Sequence, residues 1–326
     1  MSSLIDPRSL ELIIYPTEKC NFRCLYCYED FKIGRMPPSI IERVTRFIER
    51  RIVNIDKLHI SWFGGEPLLA DRVILSISKQ VSILCAQNDV EFTGSMTTNG
   101  YCLTLQLATQ LAKFNQNKYQ ISLDGMGEDH NKTRRRADGK GTFDVIWNNL
   151  KKLHASDLEF NILLRLHVHK ENVQSIRQLI EILNVELLPD KRFKAVVKAV
   201  GDWGGNNLMI ERLLDEKEQI SVTSEMKLKI MSLDVETSTP HVCYASRPNS
   251  LVIRADGRIQ KCTVMQYDNR NHVGDLGDDG SLKLNRARMG MWMRGFENFD
   301  LNTLSCPVRD MPLEDTVSKI PCIQVM

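Results

Sequence analysis

Stretches able to form strands alternate with stretches able to form helices along most of the chain, and this alternation restricts the fold more than any other feature. Short apolar runs at 10–15, 57–63, 90–97, 119–123, 159–167 and 193–200 read as strands. Apolar residues at helical spacing over 39–51, 70–85, 103–114, 143–154 and 173–183 read as helices. Strands joined through helices pair in parallel, because a parallel partner needs a long crossover connection. The expected fold is α/β, a partial (β/α)6 TIM-type barrel, whose chemistry belongs in the loops that follow the strands. Past residue 200 the pattern changes. Residues 201–207, Gly-Asp-Trp-Gly-Gly-Asn-Asn, form a turn-rich loop, and a charged helical stretch continues to about 233. Two short strands then flank Ala255-Asp256-Gly257, a hairpin turn. The expected division is a barrel over 1–236 and a smaller β-hairpin/helix unit over 237–326.

Directly after the first strand, Cys20, Cys24 and Cys27 stand at C-x3-C-x2-C spacing. Three thiolates on one loop can hold three irons of a cubane and leave the fourth iron open. A structural zinc loop is the alternative, although zinc normally takes four closed ligands. The chain carries nine cysteines and no export signal, so ligation is the better reading than disulfides. Cys85 reads as a core residue, while Cys102 is a candidate reactive thiol near the mouth of the third strand.

Further polar residues follow the strand ends. Trp62-Phe63-Gly64-Gly65-Glu66-Pro67 closes the second strand, Thr98-Asn99-Gly100 the third and Ser122-Leu-Asp124-Gly125 the fourth. The two glycines would let backbone groups approach a ligand closely, and Glu66 offers acceptors to an ammonium. Arg165 places a cation in an apolar strand, which is costly without an anionic partner. That partner is either a cofactor carboxylate or a buried carboxylate, Glu66 or Asp124. His167 and His169 read as structural histidines. Arg134 precedes two more arginines, so a solvated basic face is its bland reading.

The cysteine loop, with Tyr26 before its last cysteine, and the Gly-Gly-Glu, Thr-Thr-Asn-Gly and Ser-Leu-Asp-Gly loops in that order resemble the radical S-adenosylmethionine superfamily. The resemblance covers nearly the whole chain. It implies a [4Fe-4S] cluster on Cys20, Cys24 and Cys27 and reductive, oxidoreductase-type cleavage of S-adenosylmethionine to methionine and a 5′-deoxyadenosyl radical. It also implies cofactor contacts at Gly64, Gly65, Glu66, Thr98 and Asn99. Ser122 and Arg134 would hold the cofactor carboxylate, with Arg165 a further candidate.

Cys243-x13-Gly257-x4-Cys262 resembles the opening of the SPASM/twitch auxiliary-cluster extension of peptide-modifying members. The cysteine run that completes that extension is replaced by Cys306 and Cys322. The expectation is a shortened twitch-like unit with one auxiliary [4Fe-4S] cluster on Cys243, Cys262, Cys306 and Cys322, a tetrathiolate zinc site being the alternative. Overall the chain is most similar to maturases of ribosomally made peptides and to sulfatase-maturing enzymes. The implied reaction is hydrogen abstraction from a precursor peptide, ending in a cyclophane-type C–C side-chain crosslink. Thioether formation, epimerisation, formylglycine maturation of a sulfatase and a non-catalytic zinc module are the alternatives. Asp124, Tyr28 and Trp203 are candidates for finishing the reaction. The implied partners are the peptide and an electron donor of flavodoxin or ferredoxin type. No module precedes the first strand, so leader binding is expected to fall to the barrel, to residues 201–207 or to a separate protein.

Composition removes other classes. The 43 basic and 41 acidic residues leave a net charge of +2, which gives a nucleic-acid partner no support from bulk charge. No apolar run approaches the roughly 18 residues of a membrane span, so a cytoplasmic protein is expected.

Overall fold

The structure, a computed structural model, describes residues 6–204, 209–231 and 241–312. The strands are β1 (Ser9–Ile14), β2 (Phe22–Cys24), β3 (Lys57–Trp62), β4 (Glu91–Thr98), β5 (Gln116–Leu123), β6 (Arg134–Arg136), β7 (Asn161–Val168), β8 (Phe193–Ala199), β9 (Ser250–Ile253), β10 (Arg258–Gln260), β11 (His272–Leu276) and β12 (Leu282–Leu284). The helices are α1 (Pro38–Ile52), α2 (Asp71–Gln87), α3 (Leu105–Ala112), α4 (Gly127–Thr133), α5 (Phe143–His154), α6 (Val173–Glu186), α7 (Glu216–Lys229), α8 (Arg286–Met293) and α9 (Leu301–Ser305).

One ten-stranded sheet runs in the order β12-β11-β10-β9-β1-β3-β4-β5-β7-β8, and its last six strands are parallel neighbours joined through helices. The six strands expected from the sequence are these six. Alternation along each strand sorts side chains between two faces. In β7, Ile162, Leu164, Leu166 and Val168 are buried, whereas Arg165 and His167 fall on the opposite, partly open face. In β3 and β4 the same division puts His59, Ser61, Thr93 and Ser95 on one polar face, where His59 bonds Thr93 and Ser95. Arg165 therefore sits not in the apolar layer but among the polar side chains of the barrel interior, which removes the cost its strand suggested.

Helix starts follow local chemistry. Proline opens α1, where its missing N–H costs nothing, Thr104 caps α3 through Leu107 N, and Asp215 with Glu218 forms a capping box on α7.

Beyond residue 240 the hairpin β9–β10 does not build a sheet of its own. β9 pairs in parallel with β1, from Glu11 opposite Ser250 to Ile14 opposite Ile253, and β10, β11 and β12 extend the sheet antiparallel. The expected boundary near residue 237 lies outside the described residues, as do Cys322 and residues 205–207 of the turn-rich loop. A second, two-stranded sheet, which the sequence did not reveal, pairs β2 with β6 and sets Cys24 opposite Arg134.

Candidate active site

The cysteine loop leaves the end of β1 and is fixed by the strand-end loops around it. The two glycines after β3 are required by its backbone. Gly64 has φ +114°, and a Cβ there would meet the Thr17 carbonyl oxygen at 2.3 Å; at Gly65 it would meet the carbonyl oxygens of Lys19 and Glu18 at 2.6 and 2.7 Å. Glu66 N then donates to Lys19 O at 2.9 Å. What approaches closely at Gly64-Gly65 is thus the strap leading into Cys20.

Glu66 is fully buried, and its carboxylate accepts from Leu68 N (3.0 Å), Thr98 Oγ1 (2.7 Å) and Asn99 N (2.7 Å). The side chain expected to offer acceptors to an ammonium also ties the loop after β3 to the loop after β4. Asn99 continues the brace by donating Nδ2 to Asn21 Oδ1 at 2.9 Å, inside the cysteine loop. Thr98 and Asn99 are nearly buried, so both serve this scaffold.

Burial raises all three thiols, that of Cys27 to about 12, so each holds its proton unless a cation replaces it. The surroundings suit that replacement. Phe22 N points at Cys20 Sγ at 3.3 Å, and the Arg134 guanidinium beside Cys24 favours a thiolate. Among the described residues, no three His, Cys, Asp or Glu side chains are gathered tightly enough for a single metal ion. A cubane takes each thiolate on a different iron and needs them further apart. The donor set fits such a cluster.

Arg134, Asp124, Tyr26 and His167 meet beside this loop. Tyr26 Oη lies 2.8 and 2.9 Å from the two Asp124 carboxylate oxygens, 3.0 Å from His167 Nδ1 and 2.8 Å from Arg134 Nη1. Thr133 Oγ1 also donates to Asp124, at 2.6 Å. Asp124 is fully buried and so committed to these partners that it braces the site. Burial pushes its carboxyl up, but His167 and Arg134 outweigh this and hold it well below the usual range. Arg165 Nε donates to His167 Nε2 at 2.9 Å. Ser122, nearly buried, stands in register with Arg165 across β5 and β7.

Arg134 is itself almost buried while Arg135 is exposed, because the three arginines form a strand and alternate faces. Cys102 is not an activated thiol, since burial pushes it up to about 11, as it does Cys85. Trp203 is exposed and lies over Gly201.

On the other side of the loop, Tyr28 lies within electrostatic reach of Glu29, Tyr244, Cys27 and Cys262. Cys262 and Cys306 lie within electrostatic reach of Cys243, and Cys306 within reach of Cys262, so the three are gathered. Val264 N points at Cys262 Sγ at 3.4 Å. This group is fastened to the cysteine loop by the buried Glu18–Arg254 ion pair and by Gln266 Nε2, which donates to Glu29 Oε1 at 2.8 Å.

The radical SAM superfamily model matches residues 14–183, more than half of the chain. The chain belongs to that superfamily. Its members use a [4Fe-4S] cluster and S-adenosylmethionine, so this chain is a radical SAM enzyme. Among curated proteins it is 26% identical to the GTP 3′,8-cyclase of Desulforamulus reducens over 77% of this chain and 80% of that one. It is 30% identical to the cysteine-type anaerobic sulfatase-maturating enzyme of Clostridium novyi over 48% of this chain and 43% of that one. Among solved structures it resembles native anSMEcpe with bound AdoMet and Kp18Cys peptide. That likeness has TM-score 0.67 at 18% identity and covers 87% of this chain and 84% of that one. That likeness is one of fold, a mixed α/β fold with a large parallel sheet. No described helix is long and apolar enough to cross a membrane.

Sequence reasoning missed several residues of this radical SAM site. Tyr26 entered only as an aromatic between ligand cysteines, and His167 as structural. Glu18, Asn21 and Glu29 went unnoticed. The logic that flagged Arg165, a cation within an apolar strand, would also have flagged Arg254, directly after Ser250-Leu-Val-Ile253.

Proposed function

We propose that this chain is a peptide-modifying radical SAM enzyme. Cys20, Cys24 and Cys27 hold its catalytic cluster, and Cys243, Cys262 and Cys306, completed by Cys322, hold one auxiliary cluster. The observation that carries the reading is the gathering of three C-terminal cysteines, before the β9–β10 hairpin, after it and at the end of α9, in a segment fastened to the catalytic cysteine loop. By resemblance, such an extension belongs to peptide-modifying members. The 30% identity to a sulfatase-maturating enzyme supports the same subgroup.

When bound, the cluster supplies the electron that cleaves S-adenosylmethionine and yields a hydrogen-abstracting radical. The protein's part is positional. Arg134, Ser122 and the backbone of the Gly64-Gly65 loop are assigned to the cofactor's methionine end. Asp124 and Glu66 hold the loops in place, and the barrel interior keeps water from the radical. The substrate is a precursor peptide, received with an electron donor of flavodoxin or ferredoxin type, and the product is a side-chain crosslink of the C–C type. Tyr28, between the two cysteine groups, is the residue we assign to the late step.

A second reading, cyclisation of a purine nucleotide, is favoured by the match across most of the chain to a GTP 3′,8-cyclase. Anaerobic reconstitution separates the two. The peptide reading expects about eight irons, falling to about four in a Cys20→Ala/Cys24→Ala/Cys27→Ala variant that no longer makes 5′-deoxyadenosine, with GTP left untouched. Consumption of GTP moves the assignment to the second reading. About four irons falling to none removes the auxiliary cluster and the argument for the subgroup.

A further inference from the structure

The protons around Tyr26 can be assigned completely. A guanidinium has donors and no acceptor, so Arg165 Nε, 2.9 Å from His167 Nε2, fixes that nitrogen as an acceptor. His167 is buried, which keeps the imidazole neutral and leaves its one ring proton on Nδ1, facing Tyr26 Oη at 3.0 Å. Arg134 Nη1 is the second donor to the same oxygen, at 2.8 Å. Tyr26 therefore accepts twice and gives its single proton to Asp124, whose oxygens lie at 2.8 and 2.9 Å. Thr133 donates to the same carboxylate from the other side.

Arg134 is the under-satisfied member. It is nearly buried, yet among the described residues Tyr26 is its one hydrogen-bond partner, and its Nε is buried without any. The guanidinium already faces the Asp124 carboxylate electrostatically, but its buried Nε, with no hydrogen-bond partner among the described residues, is a donor left for a further acceptor.

We propose that Tyr26 is a positioning residue for S-adenosylmethionine. Its hydroxyl, locked by the Arg165–His167 chain and by Asp124, aims the Arg134 guanidinium at the methionine carboxylate. The inference rests on the assignment of Arg134 to that carboxylate. It makes Tyr26 the link that passes the arrangement of the loops after β5 and β7 into the cysteine loop, where it lies between Cys24 and Cys27.

The test measures binding of S-adenosylmethionine and of decarboxylated S-adenosylmethionine to cluster-loaded protein by equilibrium dialysis, with iron content and thermal midpoint as controls. Wild type is expected to prefer the carboxylated ligand, and Arg134→Gln to lose roughly tenfold of that preference. Tyr26→Phe keeps the ring that packs edge-on against His167, with centroids 5.5 Å apart, and is expected to lose most of the same factor per cluster loaded. His167→Asn leaves the cysteine loop intact in sequence and is expected to lower the preference in the same direction. It replaces Tyr26→Phe as the deciding variant if that protein loads less iron. An unchanged preference in the deciding variant overturns the inference while leaving the Arg134 assignment standing. An unchanged preference in Arg134→Gln overturns the assignment itself.

Discussion

Replacing Arg254 with methionine tests whether the C-terminal hairpin and the catalytic loop form one cooperative unit. Arg254 and Glu18 are each about 1% exposed. Arg254 Nε donates to Glu18 Oε1 at 3.0 Å, Nη2 donates to Oε2, and Nη1 reaches Gln266 O at 3.1 Å. Methionine fills much of the same volume but strands the Glu18 carboxylate. Of the hydrogen bonds to the Glu18 carboxylate from the described residues, the longer one from Ala255 N, 3.4 Å, then remains. Removing one partner of a buried pair costs about 3–5 kcal/mol, chiefly because the other charge is left without compensation. Glu18→Gln removes that charge, so the double variant is expected to recover about 2 kcal/mol or more relative to the sum of the single variants. The assay is anaerobic urea unfolding of metal-free protein followed by circular dichroism, with iron uptake measured in parallel. Glu18 stands two residues before Cys20, so Arg254→Met is also expected to lower loading of the first cluster. An Arg254→Met cost below about 1 kcal/mol, or strict additivity of the two substitutions, would refute the reasoning.

Gly65→Ala places a methyl 2.6 Å from Lys19 O and is expected to lower iron loading on Cys20, Cys24 and Cys27 while costing about 1–3 kcal/mol in unfolding experiments. Glu66→Gln sets an amide where Leu68, Thr98 and Asn99 all donate, so a loss of about 2–4 kcal/mol is expected in urea midpoints at pH 7, with Glu66→Ala no better. Burial pushes the Glu29 carboxyl from its ordinary 4.5 up to about 7. A raised carboxyl favours the folded protein below pH 4.5 and loses that contribution as pH rises through 7. Glu29 should therefore contribute a loss of about 3 kcal/mol to metal-free protein between pH 4.5 and 8, read as the difference between the wild-type profile and a flatter Glu29→Gln profile over that window.

The parallel core was legible because it rests on local pattern. Period-2 and period-3.6 apolar spacing defines the six strands and their helices within a few residues, and the strand-end loops follow from that order. What stayed hidden depends on contacts between distant segments. Nothing in Phe22-Arg-Cys24 or Arg134-Arg-Arg136 marks a strand, and the ribbon exists only because the barrel brings the two segments side by side. The same holds for β9, whose pairing with β1 merges the C-terminal segment into the barrel sheet. The bracing role of Glu66 stayed hidden for a related reason. Its residue type suits an ammonium, and the packing of its loop on the cysteine strap gives the carboxylate a second task, since two backbone N–H groups and the Thr98 hydroxyl donate to it and one acceptor position is left over. Spacing identifies which side chains can bind a cofactor; only the packing tells which of them are already taken.

That difference explains how the site is organised. The cysteine loop has no regular structure beyond the three residues of β2, so its geometry must be imposed from outside. Gly64-Gly65 and Glu66 hold its start, Asn99 holds Asn21, β6 holds Cys24, Asp124 and His167 hold Tyr26, and Gln266 holds Glu29. Each anchor comes from a different strand end, and the last comes from the C-terminal hairpin. A loop that must keep three thiols apart at cluster spacing, while burial opposes their ionisation, depends on all of these anchors together. Disturbing the hairpin should therefore reach Cys27 as surely as disturbing the barrel reaches Cys20.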